Sequence, residues 1–517
     1  MSHFAKPIVK NTGETAAERY LARLCNKSFL SLWSYPGVYR DQGRTEGKGD
    51  GKEVCDLLVV FGDHVIIFSD KDCEFKDTGR VELDWRRWFR KSILSSAHQI
   101  WGAEKWIRGY QGKLFIDKKC QVPLPINLPN ADEMKVHRIV VAHDRSGRCR
   151  AIVGGSGSLL LSNYLEGESH LNTPFTVGHL ERKKGFVHVF DDTSLNIVMK
   201  SLDTVFDFVS YLEKKKNLFN SNLKIHAAGE EELLAIYLSR TNKEGEHDFE
   251  FPKNVDVISI DQGFWNRYQS NTQRLAQIED NKISYMWDAI IEKFNHHMLM
   301  NTQYTLDGRA ISRPVAEQEL GFRVLAAEPR TRRRLLATGL AEVLERSKKP
   351  GSFLEARVVL PSHDGDPHYV FVTLRRPSGV TEEAYRIDRA NILTAYCTIT
   401  KLVHKEAQQI IGFATESGDC EGRSEDLCFR DVRNWSSEDE REAVKLQEKT
   451  GFLKKVNTFS SRVLDYPVDA TGKRPNTNIS RNSTCPCGTG KRYKRCCGKI
   501  FSGRKERNPH KRMDGSF

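Results

Sequence analysis

Apolar positions recur at helical spacing from residue 14 to 30, where Ala17, Tyr20, Leu21 and Leu24 fall on one face and predict an amphipathic helix. Ser31 to Val38 reads as strand or loop, and the Gly-rich, charged stretch 41–52 as a loop. Two apolar runs then follow, Leu57 to Phe61 and Val65 to Phe68, separated by Gly62-Asp63. β-Branched runs broken by a Gly-Asp pair predict a tight hairpin, with Gly62 free to take the positive φ such turns often need. Beyond a loop at Phe75 to Arg80, the residues Trp85, Trp88, Phe89, Ile93, Ala97, Ile100, Ala103 and Trp106 predict a helix from Trp85 to Arg108. His137 to Ala142 reads as a buried strand, and Cys149 to Leu161 and Phe186 to Phe190 as further strands. Leu195 to Leu212 reads as helix in one or two segments.

These elements make residues 1–218 an α/β domain, a mixed sheet flanked by helices. The basic run Lys214 to Lys224 marks its boundary. A second domain, α+β, spans 219–465. Its helices are predicted at Gly229 to Ser239, Phe264 to Leu275, Ile283 to Leu299, two within 316–347, Ala384 to His404 and Glu438 to Lys449. Its strands are predicted at Val255 to Ile260, Ala356 to Leu360, Tyr369 to Leu374 and Glu406 to Ala414. No repeat at a solenoid period is present. Residues 466–483 have the composition of a linker, 484–499 form a small module, and 500–517 a basic tail.

Composition narrows the class. Apolar and charged contents of 39% and 29% suit a soluble protein with a sizeable core. No apolar run approaches the roughly 20 residues of a membrane span, and the N-terminus has no signal-peptide core. Eight scattered cysteines in such a chain read as reduced thiols in a cytoplasm. The net charge of +12 favours a polyanionic partner only once it is located. It sits at the end: from Lys473 to Phe517 thirteen Lys or Arg face only Glu506 and Asp514, a net +11.

That same tail holds the most specific motif. Cys485, Cys487, Cys496 and Cys497 are spaced C-x-C-x₈-C-C, and Gly488 and Gly490 let the chain turn between them. Four thiolates suit one tetrahedral, structural Zn²⁺, whose binding would supply the folding free energy of so short a segment. The spacing resembles the SEC-C motif, the zinc module at the C-terminus of the SecA translocation ATPase and of many other proteins. No phosphate loop of the GxxxxGK[ST] kind is present, so the resemblance does not extend to a translocase. A zinc knuckle amid sustained positive charge points to nucleic acid or an acidic partner.

The hairpin brings Asp56, at the head of one strand, back towards Lys71, at the end of the next. That layout resembles the PD-(D/E)xK nuclease superfamily over roughly the first quarter of the chain. The resemblance implies a restriction-endonuclease-like fold, with Glu18 on a preceding helix and Gln99 on the helix after the hairpin. It implies Mg²⁺ held by Asp56 and a second carboxylate, and Lys71 orienting water. The sequence departs from the pattern at Ser69, where an acid should stand. Asp70 is one residue late and strand alternation sends it to the opposite face. A bulge turns it inward, or Glu18 supplies the second carboxylate, or the site is inactive.

Two functions follow from these expectations. One is a Mg²⁺-dependent nuclease acting on DNA, a pairing of domains that suits defence against foreign DNA by analogy of fold. The other is an inactive, nuclease-like adaptor that binds nucleic acid, ribosome or protein through the zinc tail. Other chemistry-bearing residues weigh less. The stretch His363 to His368 (HDGDPH) has metal-ligand types but the composition of a hairpin loop, His296-His297 sits in a helix, and Cys55 and Cys73 have no histidine partner in view.

Overall fold

The computed structural model describes residues 7–42, 49–243, 245–252, 254–303, 314–420, 423–455 and 465–466, with Asn482, Arg492 and Arg495. Thr15 caps the first helix, α1 (Ala16–Trp33), and Glu18 returns the bond, closing a reciprocal cap. The helix breaks at Leu30, which takes φ 65°. Its last turn restarts under a carboxylate from far along the chain: Glu292 accepts from the Ser31 N–H at 2.8 Å and from its hydroxyl at 2.9 Å.

Three antiparallel strands follow, β1 (Ser34–Arg40), β2 (Lys52–Phe61) and β3 (His64–Lys71). The expected two-residue turn closes the hairpin, with Phe61 paired to His64 and Gly62 at φ 60°. The long aromatic helix is present but interrupted. α2 (Val81–Phe89) passes into α3 (Ser95–Gly109) through one wide π turn, Arg90–Leu94, which lets Trp85, Trp88 and Ile93 all reach the core. β4 (Lys135–Ala142) returns parallel to β3.

The strand expected at Cys149 to Leu161 is a helix, α4 (Ser146–Val153), then a loop, then β5 (Leu160–Glu166). Gly154, Gly155 and Gly157 all take positive φ there, which ends the helix and turns the chain. β6 (Thr176–His179), β7 (Val187–Asp191), α5 (Asp192–Ser201) and α6 (Val205–Phe219) complete this stretch. The first sheet runs β1-β2-β3-β4-β7, with β3, β4 and β7 parallel. α1 and α5 pack against it on one side and α3 on the other.

The basic run 214–224 forms the end of α6 and the first residue of β8 (Lys224–Ala227). β8 pairs with β5, and β9 (Val257–Ile260) with β8, so the second sheet, β6-β5-β8-β9, draws strands from both sides of that run. The helices α7 (Glu230–Leu238), α8 (Phe264–Gln269), α9 (Thr272–Asn281), α10 (Tyr285–Met300), α11 (Val315–Ala326) and α12 (Arg330–Ser347) come next.

The third sheet joins β10 (Leu354–Val359), β11 (His368–Leu374), β12 (Gln409–Glu416) and an edge strand, β13 (Glu425–Asp431). α13 (Glu382–Val403) carries the crossover between the parallel β11 and β12, and α14 (Ser437–Thr450) packs on α13. Alternation divides the sheet's faces. Tyr369, Phe371, Ile411 and Phe413 join the main core with α12, while Val370, Val372, Ile410 and Ala414 form a smaller core under α13. The edge strand was not legible in the pattern because four of its seven residues (EDLCFRD) are charged, and the buried one, Asp426, is paired with Arg389 while Phe429 is exposed. The chain is therefore α/β, three mixed sheets flanked by helices.

Candidate functional site

At the open end of the first hairpin, β1, β2, β3 and α3 wall a cleft of about 320 Å³, lined in part by Arg40, Lys52, Glu53, Asp56, Ser69 and Gln99. The antiparallel pairing that joins Leu57 to Phe68 sets Asp56 beside Ser69 on the α3 face. Gln99 reaches down from α3, and the Ser69 hydroxyl donates to its Oε1 at 3.2 Å. The same hydroxyl lies against the Asp56 carboxylate, so its single proton is shared between two acceptors. Asp56 Oδ2 also accepts the Asp70 N–H at 2.6 Å. Ser69 itself is 3% exposed.

Glu53 joins the cleft through a fault in the strand. The register of β1 on β2 slips between Val38 and Tyr39, so the alternation of β2 breaks near Val54. Residues three apart, Glu53 and Asp56, thereby line one cleft. The parity rule sends 53 and 56 to opposite faces, which is why sequence reading missed Glu53; the register slip leaves no mark in composition.

Negative charge gathers here faster than the cations offset it. Burial, then the charges of Asp70 and Glu18, push the Asp56 carboxyl up to about 6, against the Asp70 N–H and the Ser69 hydroxyl. Partial desolvation, then Asp56, Glu18 and Glu14, push Glu53 up to about 7. Glu18 is half-buried and its carboxylate accepts the Glu14 N–H at 2.7 Å, as part of the helix cap. It stands close enough for its charge to act on both cleft acids. On the opposite wall Arg40 lies over the Trp106 ring, 4.6 Å from its centroid.

Asp70 turns the other way. Its side chain is 1% exposed, on the α1 face, and its Oδ1 pairs with His143 Nε2, just beyond β4, at 2.5 Å. Its charge also raises the thiol of Cys25 on α1, after burial. Burial opposes protonation of His143, yet the hydrogen bond and charge of Asp70, with Asp192 and Asp72, hold its pKa above the ordinary value. The structure thus brings Asp56, Ser69 and Gln99 together, adds Glu53, sets Glu18 nearby, and leaves Asp70 on the far face. Lys71 ends β3 on the Ser69 side and has no partner among the described residues.

Cys485, Cys487, Cys496 and Cys497 lie outside the described residues, as does almost all of the expected linker and basic tail. The chain just before them is anchored. Tyr466 donates to Leu238 O at 2.6 Å, and Asp465 pairs with His247 at 2.8 Å. Eight described cysteines are free thiols. Among the described residues no helix is long and apolar enough to cross a membrane.

The chain matches curated proteins over short stretches, such as 5–16% of its length. It is 36% identical over 74 residues to the protein translocase subunit SecA of Syntrophus aciditrophicus, covering 14% of this chain and 8% of that subunit. It is 61% identical over 36 residues to SecA of a Psychrobacter species, covering 7% and 4%. A UPF0225 protein of Yersinia pseudotuberculosis is 30% identical over 86 residues, 16% of this chain and 49% of that protein. The matches span less than a tenth of the translocase subunits and about half of the UPF0225 protein. No solved structure matches. The family model that matches covers residues 481–499, and on that match the chain carries a SEC-C motif, a zinc-binding motif, near its C-terminus.

Proposed function

We propose that the chain is a divalent-metal-dependent nuclease acting on DNA, with the SEC-C motif as a zinc-bound tail that contacts nucleic acid. One observation carries the reading: two carboxyls in the cleft, Asp56 and Glu53, are pushed up to about 6 and 7 by burial and then by neighbouring negative charge. A divalent cation is the group that relieves such crowding. The succession of α1, hairpin and α3, with Glu18 and Gln99 on the two helices, supports the resemblance to the PD-(D/E)xK superfamily.

Asp56 and Glu53 would hold Mg²⁺, with Glu18 adding charge close by. The bound ion would polarise a phosphate and lower the pKa of water. Gln99 fixes Ser69, and Ser69 with the Asp70 N–H fixes Asp56, so the principal carboxylate is oriented from two sides. Arg40 and Lys52 supply positive charge for the phosphodiester backbone. Lys71 would orient water and offset charge developing on the phosphate. In the tail, Cys485, Cys487, Cys496 and Cys497 would bind one structural zinc.

The test is cleavage of plasmid and single-stranded DNA by the purified protein with Mg²⁺ or Mn²⁺ and with EDTA. Metal-dependent cleavage lost in Asp56→Asn and Lys71→Ala is the expected result. No cleavage of either substrate under any metal removes the enzyme reading. Ser69 favours a second reading, because a hydroxyl stands where the superfamily has an acid and Asp70 is committed to His143. That reading is an inactive adaptor that binds nucleic acid, ribosome or protein through the tail. Retained DNA binding without cleavage supports it. Defence against foreign DNA is the role that the nuclease reading suits.

A further inference from the structure

His368 opens β11 on the α13 face of the third sheet, and it is 1% exposed. Neither of its ring nitrogens has a hydrogen-bond partner among the described residues. A buried imidazole without a well-aligned hydrogen bond is costly, and only Nε2 has a polar group near it, the Glu406 carboxylate. The groups that face it come from the far end of the crossover. His404 caps the end of α13, with its ring centroid 5.3 Å from that of His368, and Glu406 lies in the turn before β12. Glu406 Oε1 stands between the two rings, 3.4 Å from His368 Nε2 and 3.5 Å from His404 Nδ1. One ligand atom from each of the three lies within 4.8 Å of the others.

We propose that His368, His404 and Glu406 form a binding site for a divalent transition metal ion of the zinc type, distinct from both the cleft and the cysteine motif. Two imidazoles and a carboxylate are a borderline donor set that suits Zn²⁺, Co²⁺ or Ni²⁺ better than Mg²⁺. An ion here gives the buried ring a ligand bond where it now has only a long contact with Glu406. It also ties the start of β11 to the turn that returns α13 into β12, so the ion closes a parallel crossover across its open end.

Cobalt substitution separates this site from the four cysteines. Thiolate ligands give Co²⁺ intense near-ultraviolet charge-transfer bands, whereas a His₂Glu site gives only weak visible ones. The full-length protein, freed of metal by a chelator, is titrated with Co²⁺ beside Glu406→Gln and His404→Ala, which alter side chains 66% and 24% exposed and so leave folding intact. The wild type is expected to bind one equivalent more than either variant, or to bind that equivalent at least about tenfold more tightly. The thiolate bands should be the same in all three. Equal stoichiometry and affinity in wild type and both variants, or a difference that appears in the thiolate bands, overturns the proposal.

Discussion

Asp56 and Glu53 set how the molecule responds to pH. A carboxyl whose pKa rises on folding holds its proton longer in the native state than in the unfolded chain. Between the unfolded value near 4 and the folded value, the native state binds more protons, so stability falls as pH rises. For Asp56 the window runs from about 4 to about 6, and for Glu53 to about 7. Metal-free protein should therefore lose stability on going from pH 5 to 7.5. Asp56→Asn should flatten part of that slope, and added Mn²⁺ should oppose it more strongly as pH rises. Thermal melts in EDTA and in Mn²⁺ across this range measure both. His143 acts in the same direction. Its raised pKa adds stability that is present below about 6.5 and is lost as pH climbs through the folded value. His143→Ala strands a side chain that is 1% exposed, Asp70, and should cost about 1–3 kcal/mol in urea unfolding at pH 6.

At the scale of elements, α6 is bound to α7 by a buried ion pair. Lys215 and Glu230 are each 2% exposed and meet at 2.5 Å, with Tyr211 donating to the same carboxylate at 2.6 Å. Lys215→Met leaves Glu230 buried without its cation and should destabilise the protein by about 3–5 kcal/mol, read from urea unfolding. The double change with Glu230→Gln should recover part of the loss. Here the sequence misleads for a physical reason. A polar, basic run such as KKKNLFNSNLK reads as a domain boundary, yet Lys215 is among its most buried residues, because composition cannot show a partner fifteen residues away. Long periodic elements were legible: α1, the hairpin, β4, α12 and α13 fall close to where apolar spacing puts them. The short strands β6 and β8 were not, since four residues hold too few apolar positions to register a period, whereas β9 falls within the strand read at Val255 to Ile260. In the cleft, Asp56 and Gln99 were named from the hairpin resemblance. Glu53 required the register slip, and His143 required the parallel pairing of β4 on β3, neither of which one chain position reveals.

Across the whole molecule, charge is divided unevenly. The chain carries +12, of which the stretch from Lys473 to Phe517 supplies +11. Deleting residues 473–517 should weaken DNA binding and flatten its dependence on salt, because fewer counterions are released. Equal affinity and equal slope with and without the tail, by titration at two salt concentrations, would remove the tail from nucleic-acid contact. Cys496→Ser should lose one bound zinc by elemental analysis while the melting of the remainder is unchanged, since the motif lies beyond the anchored pair Asp465 and Tyr466.

The cap on the broken end of α1 carries a consequence in time. Ser31 waits for Glu292, and the Trp33 indole donates to Glu319, 286 residues later, at 2.5 Å. A ribosome adding roughly 5–20 residues per second needs about 15–60 s to cover that distance. Throughout that interval the helix that carries Glu18 has emerged without the groups that hold its far end. The break at Leu30 is therefore capped late in synthesis, long after β1, β2 and β3, which pack against α1, have emerged.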